Sequence, residues 1–336
     1  MKKKILNSLI CLMLLIGLCG CGKKTEELGE VEKPQEPEKK LKIVDLNSKT
    51  RPYAVMINNN HAAWPQAGIQ DAYIVYEIVV EGGITRMMAL YKDAATAKIG
   101  SIRSSRHYFL DYALENDAIY VHFGWSPQAQ RDISSLKINN INGLYDSSFW
   151  RDKTLKRAYE HTAFTNIEKL NETTQKKGYR TETDKDLLLN YSVDEIDLSS
   201  KEDAILANSV SIKYSYYHTT SYEYDGENKV YKRSMSGVPN TDLDTGVQYT
   251  AKNIITYKLE DTALPDTEDK GRRELHNIGS GEGYYISNGY AVPITWEKTS
   301  RSSQTVYKYK DGSEITVNDG NTFIQIQPIN QQLVIE

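Results

Sequence analysis

The hydrophobic pattern changes period once along this chain, and that change limits the fold more than any other feature. Residues 51–180 alternate strand-like and helix-like runs. The β-branched, aromatic run DAYIVYEIVV passes through Gly82-Gly83 into ITRMMALYK, as two strands joined by a tight turn would. AKIGSI leads into SSRHYFLDYALEN, where a serine is expected to cap a helix, and DAIYVHFG then returns as a strand. That order makes a β-α-β unit with a helix on a sheet. QAQRDISSLK reads as a helix, and a capping box at Thr165-Asn166-Ile167-Glu168 opens another that stops near Gly178. From Val210 the helix signal is gone. Asp225-Gly226, Asn288-Gly289, Asp311-Gly312 and Asp319-Gly320 separate alternating runs, as hairpin turns do.

The expected class is therefore α+β: a mixed α/β domain over 46–190, with a two- or three-layer sheet, a junction over 191–206, and an antiparallel β-rich domain over 207–336. The junction is placed where TETDKDLLLNYSVDEIDLSSKEDAIL becomes acidic and weakly patterned.

The beginning of the chain speaks to location. Met1-Lys2-Lys3-Lys4 is basic, and the apolar run Ile5–Leu18 is too short to span a bilayer as a mature helix. Leu18-Cys19-Gly20-Cys21 resembles a bacterial lipobox, which implies a signal peptide over 1–20 and a lipid on the Cys21 thiol. A charged tether with Pro34 and Pro37 follows over 21–45, unable to bury a core of its own. The expected location is extracytoplasmic, anchored to the bacterial cell membrane as a lipoprotein. All three cysteines lie at or before Cys21, so the body has no disulfide, thiolate metal site or cysteine nucleophile. A net charge of −4 gives no field for nucleic acid.

The runs RPYAVMINN, DAYIVYE, VEGGITR, KIGSIRSSRHY, DAIYVHFGWSP, ITWEKTS and TFIQIQP together resemble the YerB-like family of bacterial lipoproteins. The resemblance spans nearly the whole mature chain and implies an amino-terminal α/β domain followed by a family-specific carboxy-terminal one. It carries no mechanism. Where the family pattern has a His-Asn pair, this chain has Glu160-His161-Thr162.

Candidate chemistry gathers around one turn. With Gly82-Gly83 as a two-residue turn, Glu81 faces Ile84, Val79 faces Arg86 and Glu77 faces Met88. Alternation then puts Glu77, Glu81 and Arg86 on one face. The two carboxylates would stand roughly 13 Å apart at ~3.3 Å per residue. That is too far for a paired-carboxylate glycosidase, which needs about 5–10 Å. Either glutamate alone could serve as the proton donor of a lytic, single-carboxylate cleavage of a glycan strand. The competing reading makes both glutamates counter-ions to Arg86, Arg103 and Arg106.

Arg103, Ser104 and Arg106 sit where a strand gives way to a helix, an arrangement suited to an anion such as a carboxylate or phosphate. An internal glutamate would satisfy the same geometry. His122 and Trp125 in YVHFGWSP, with Asn58, complete the expected cleft, and Trp125 could stack on a sugar ring. His61 and Trp64 could rim it, while Arg151, Arg157 and His161 are weaker members. Trp296 and the many tyrosines (24, against five Phe) suggest a contact surface in the second half. The six histidines show no H-x-x-x-H or HExxH spacing, so no metal or other cofactor is expected. GSGEG at 279–283 lacks the lysine and preceding strand of a phosphate loop and reads as a turn-rich loop. The expected role is binding, and in one version cleaving, peptidoglycan or a related envelope glycan. The alternatives are a non-catalytic binder of glycan or cell-wall proteins, and a structural scaffold.

Overall fold

The computed structural model describes residues 40–265 and 270–336. The expected signal peptide, Cys21 and most of the tether lie outside the described residues. The last part of that expected tether is packed. Val44 is buried, and the backbone N–H groups of Lys42 and Ile43 donate to the Asp319 carboxylate at 2.9–3.0 Å.

The mixed α/β first half and β-rich second half are both present, and they share an 11-stranded sheet. At its centre are β1 (Tyr53–Asn58), β2 (Ile74–Val79) and β3 (Thr85–Tyr91). On one side, β1 continues in parallel to Ile119–His122 and then Asn140–Asn142. On the other, β2 pairs in parallel with Thr322–Pro328, whose further neighbours are Asn253–Leu259, Gly279–Ser287 and Tyr290–Lys298. Thr322–Pro328 is buried at every position and parallel to both neighbours, the exception to the antiparallel pattern expected of the second half. A strand covered on both faces reads as a run without alternation, and TFIQIQP fits that description.

Two layers cover this sheet. On one face α1 (His107–Glu115) packs Tyr108, Phe109, Leu110 and Tyr112 against Met56, Tyr76 and Met88, with Ile133 of α2 (Pro127–Ser135) in the same core. The opposite face receives Ile167 and Leu170 of α3 (Ile167–Lys176), and a six-stranded sheet whose strands Ser209–Lys213, Thr219–Asp225 and Val230–Met235 supply Val210, Ile212, Tyr222 and Tyr231. Alternation in the sequence made that inner side legible: Tyr231, Arg233 and Met235 point inward while Lys232 is exposed.

Several local expectations need correction. No serine caps α1. Arg106 stands at that position without a side-chain cap, because the Ser105 hydroxyl is taken by Tyr120 Oη at 2.9 Å. The cap of α3 is Asn166, whose side chain accepts from Lys169 N at 2.9 Å, while Thr165 donates to the Ser148 carbonyl. Asn288-Gly289 is a hairpin turn with both residues at positive φ. Asp319-Gly320 is not, because its flanking strands belong to different sheets. GSGEG begins the strand Gly279–Ser287: a Cβ on Gly281 would stand 2.8 Å from the Trp296 ring nitrogen, so the glycine admits that ring. Trp296 itself is buried against Tyr257, not displayed on a surface. Among the described residues, no helix is long and apolar enough to cross a membrane.

Candidate functional site

The β2–β3 turn decides what meets what. It contains three residues, Glu81–Gly83, with Val80 N donating to Ile84 O at 2.8 Å and both glycines at positive φ. One extra residue moves the register by one: Ile78 faces Arg86, Glu77 faces Met87 and Val79 faces Thr85. A one-residue slip exchanges the faces of a strand. The expected common face for Glu77, Glu81 and Arg86 is thereby corrected: Glu77 lies on the side of α3 and the six-stranded sheet, Arg86 on the side of α1.

Glu77 is fully buried and completely engaged. Oε1 accepts from Thr85 Oγ1 at 2.7 Å and Asn59 Nδ2 at 3.0 Å, and His218 Nε2 lies 3.1 Å away. Thr220 Oγ1 lies 3.0 Å from both carboxylate oxygens, and Arg233 NH2 donates to Oε2 at 2.7 Å. Burial alone would raise this pKa. Arg233 and His218 outweigh it, and the group titrates well below the usual carboxylate range. His218, Thr220 and Arg233 come from the second half and were missed by sequence reasoning. The available signal was a charged Arg233 at an inward position of its strand, which demands a buried partner.

Glu81 stays on the α1 side, half-buried between two guanidiniums. Arg106 Nε donates to its Oε1, and Arg86 NH2 stands 3.7 Å from Oε2. Burial pushes Glu81 up, but Arg86 and Arg106 more than offset it and hold its pKa low. Arg86 is buried, donates to the Ser104 carbonyl at 2.7 Å, and leaves its Nε without a hydrogen-bond partner.

Arg103 is different. Its half-buried guanidinium has no hydrogen bond or ion pair among the described residues. Burial lowers its pKa, Glu160 opposes that, and Arg106 and Arg151 lower it further. Around it, the Arg151 guanidinium lies over the rings of Tyr159 (4.0 Å) and Phe123 (4.4 Å). Arg157 is committed to the carbonyls of Ala63 and Pro65 at 2.8 and 3.0 Å. His161 is held by Asn58, whose Nδ2 lies 2.8 Å from its Nδ1; burial, then Arg103, lowers the pKa of that imidazole. Asn58 is therefore a buried support and not a rim residue.

Two further expected members are sorted by burial. His122 is sealed: Nδ1 meets the Gly124 carbonyl at 2.8 Å, Nε2 meets Asn140 Oδ1 at 3.2 Å, and burial brings its pKa down to about 4. It cannot reach a ligand in this arrangement. Trp125 is half-buried, 5.5 Å from the His122 ring and 5.9 Å from Tyr145. Ser104 and Leu144 both flank Gly124. Tyr145 (74%) and Tyr159 (72%) are widely exposed, and sequence reasoning did not single either out. His61 and Trp64 do not rim this corner. They lie with Tyr217 and His218 on the Glu77 side.

The structure therefore joins Arg103, Arg106, Arg86, Glu81, Ser104 and Trp125 into a basic corner at the carboxyl ends of parallel strands, the usual ligand edge of an α/β sheet. It places Glu77 elsewhere. A mixed sheet built from two sequence segments, with a basic corner at one edge, defines the class.

The family follows from comparison. A model described as "Protein of unknown function (DUF3048) N-terminal domain" matches residues 41–180, and its C-terminal-domain counterpart matches 210–324. The chain belongs to this YerB-like family. It is 29% identical over 333 residues to "Putative lipoprotein YerB" of Bacillus subtilis (strain 168), covering 98% of this chain and 96% of the relative. The crystal structure of the YerB protein from Bacillus subtilis superposes with a TM-score of 0.72, covering 85% of this chain and 94% of that one.

Proposed function

We propose that this chain is an extracytoplasmic lipoprotein, anchored through lipid on Cys21, that binds an anionic group of an envelope polymer at the Arg103 corner. Peptidoglycan or a related acidic glycan is the preferred ligand. The relative named as a lipoprotein supports the anchor. The observation that carries the binding reading is the Arg103 guanidinium, half withdrawn from water with no hydrogen bond or ion pair among the described residues. Its charge is costly where it stands, and an incoming carboxylate or phosphate would offset that cost with a charge-assisted pair. The exposed rings of Tyr145 and Tyr159 offer faces on which sugars stack.

Cleavage draws no support from the geometry. A lytic proton donor needs a carboxyl held protonated, whereas the surroundings of Glu77 and Glu81 keep both ionised at neutral pH. The corner suits recognition, including recognition that assists cell-wall proteins.

The test is co-sedimentation of the purified full chain with cell-wall sacculi, beside an Arg103→Ala variant. Binding about tenfold weaker in the variant is expected, matching the ~1.4 kcal/mol of a single charge-assisted contact. Equal sedimentation of the two proteins would remove the corner from the function. Release of anhydro-sugar fragments would restore the cleaving reading.

A further inference from the structure

On the Glu77 side of the β2–β3 turn, two imidazoles from distant parts of the sequence face each other. His61 follows β1, and His218 precedes the strand Thr219–Asp225, 157 positions later. His61 Nε2 and His218 Nδ1 are 3.4 Å apart, and the Ser236 hydroxyl lies 3.5 Å from the same His61 nitrogen. We infer that His61 Nε2 and His218 Nδ1, with Ser236 Oγ at their side, form a binding site for a nitrogen-seeking divalent transition-metal ion of the Zn²⁺, Cu²⁺ or Ni²⁺ class.

Three features carry this. The first is the separation: two nitrogens bound at about 2.0–2.1 Å around a tetrahedral ion stand roughly 3.3 Å apart, so the pair is already at chelating distance. The second is the tautomer. His218 Nε2 points at Glu77 Oε1, 3.1 Å away, and an ionised carboxylate can only accept. In the neutral ring the proton therefore sits on Nε2, which leaves the Nδ1 lone pair facing His61. A buried carboxylate behind a histidine is the usual support of a metal-ligating imidazole, fixing the ring and raising its basicity. Here that carboxylate is itself fixed by Arg233, Thr85, Thr220 and Asn59.

The third feature is preorganisation with access. His61 is half-buried, stacked on Tyr217 with centroids 4.1 Å apart and packed on Trp64 at 4.2 Å, so its plane is set while the residue is not sealed from solvent. Ser236 is exposed. Two imidazoles and a hydroxyl leave coordination positions for water, and the donor set favours borderline ions over Mg²⁺ or Ca²⁺. The plain alternative is an imidazole–imidazole hydrogen bond closing the same gap. A bound ion would clamp the loop after β1 to the hairpin of the second half.

The experiment is equilibrium dialysis of the tag-free, metal-stripped full chain against Zn²⁺, and against Cu²⁺ with electron paramagnetic resonance as a second readout. One equivalent per chain is expected, with a nitrogen-ligand pattern for Cu²⁺ and a Tm raised by Zn²⁺. His61→Ala should weaken binding at least tenfold and abolish the Tm rise; Ser236→Ala should weaken it a few-fold. His107→Asn, which alters a histidine elsewhere in the fold, should bind as the parent does. Because His218 is buried and its replacement threatens folding, half-exposed His61 carries the test. Absence of stoichiometric binding, or binding unchanged in His61→Ala, would overturn the site and leave the hydrogen bond.

Discussion

Glu77 and Arg103 lie on opposite sides of the same sheet and show two ways of holding charge out of water. Around Glu77 every acceptor is used: one carboxylate meets Arg233, His218, two threonines and an asparagine, and both members of the Glu77–Arg233 pair are fully buried. Around Arg103 the accounts are open. Arg103, Arg106, Arg86 and Arg151 gather near Glu81 and Glu160, and one guanidinium has nothing to bind among the described residues. The first arrangement joins β2 to the strands Thr219–Asp225 and Val230–Met235. The second has charge to spare at a solvent-facing edge. Satisfied buried charge holds a fold together, whereas unsatisfied half-buried charge is where a ligand adds most.

The largest expected effect comes from breaking the closed arrangement. Glu77→Gln leaves Arg233 buried and uncompensated, a change that typically costs about 3–5 kcal/mol. The urea midpoint should fall accordingly. Replacing both partners, Glu77→Met with Arg233→Met, should recover much of the loss, since a buried pair often roughly breaks even against apolar residues. A single variant as stable as the parent would mean the pair does not join the two segments.

A smaller effect separates histidine from carboxylate. His122 is buried as the neutral ring, with its pKa brought from 6.5 to about 4. Between those values the unfolded chain takes up a proton that the folded chain refuses. Stability is therefore full above pH 6.5, falls by about 1.4 kcal/mol per pH unit below it, and has lost roughly 3 kcal/mol near pH 4. Glu77, whose pKa is depressed from 4.5, acts later: its contribution is present above that value and is lost as pH falls through the folded pKa. Subtracting the pH–stability profile of His122→Phe from that of the parent should isolate a step confined to pH 4–6.5. A flat difference would show that His122 is not held neutral.

How much of this was legible in the sequence depended on the range of the interaction. Helices α1, α2 and α3 and the hairpin at Asn288-Gly289 follow from local periodicity and turn chemistry, and all are present. The expected β-α-β unit is not: Ile99–Gly100, before α1, pairs antiparallel with Ala163–Thr165 in a separate three-stranded sheet, while Ile119–His122, after α1, lies parallel to β1 in the large one. The basic corner was legible too, because Arg103, Ser104 and Arg106 are neighbours in the chain. The faces of β2 were not. They hinge on whether the glycine turn holds two residues or three, a choice local propensity does not fix, and one residue sends Glu77 to the other side. The Arg233 and His218 partners of Glu77 lie 156 and 141 positions away. Only the inward placement of a charged residue on an alternating strand hinted that such a partner existed.

The smallest effect on stability sharpens the contrast most. Truncating Arg233 removes the counter-charge of a sealed carboxylate; truncating Arg103 removes a cation that nothing in the described fold is using. Arg103→Ala sheds a desolvated charge and its repulsion from Arg106 and Arg151, while losing some contact made by the side-chain stem. These nearly cancel, so the denaturation midpoint should move by no more than about 0.5 kcal/mol in either direction. Binding of an anionic polymer should drop in the same variant, and Arg103→Lys should restore only part of it, because an ammonium keeps the charge without the planar fork. A loss of 2 kcal/mol or more in Arg103→Ala would mean that this guanidinium is part of the scaffold. The basic corner would then be as closed as the Glu77 cluster, and the difference between the two regions would disappear.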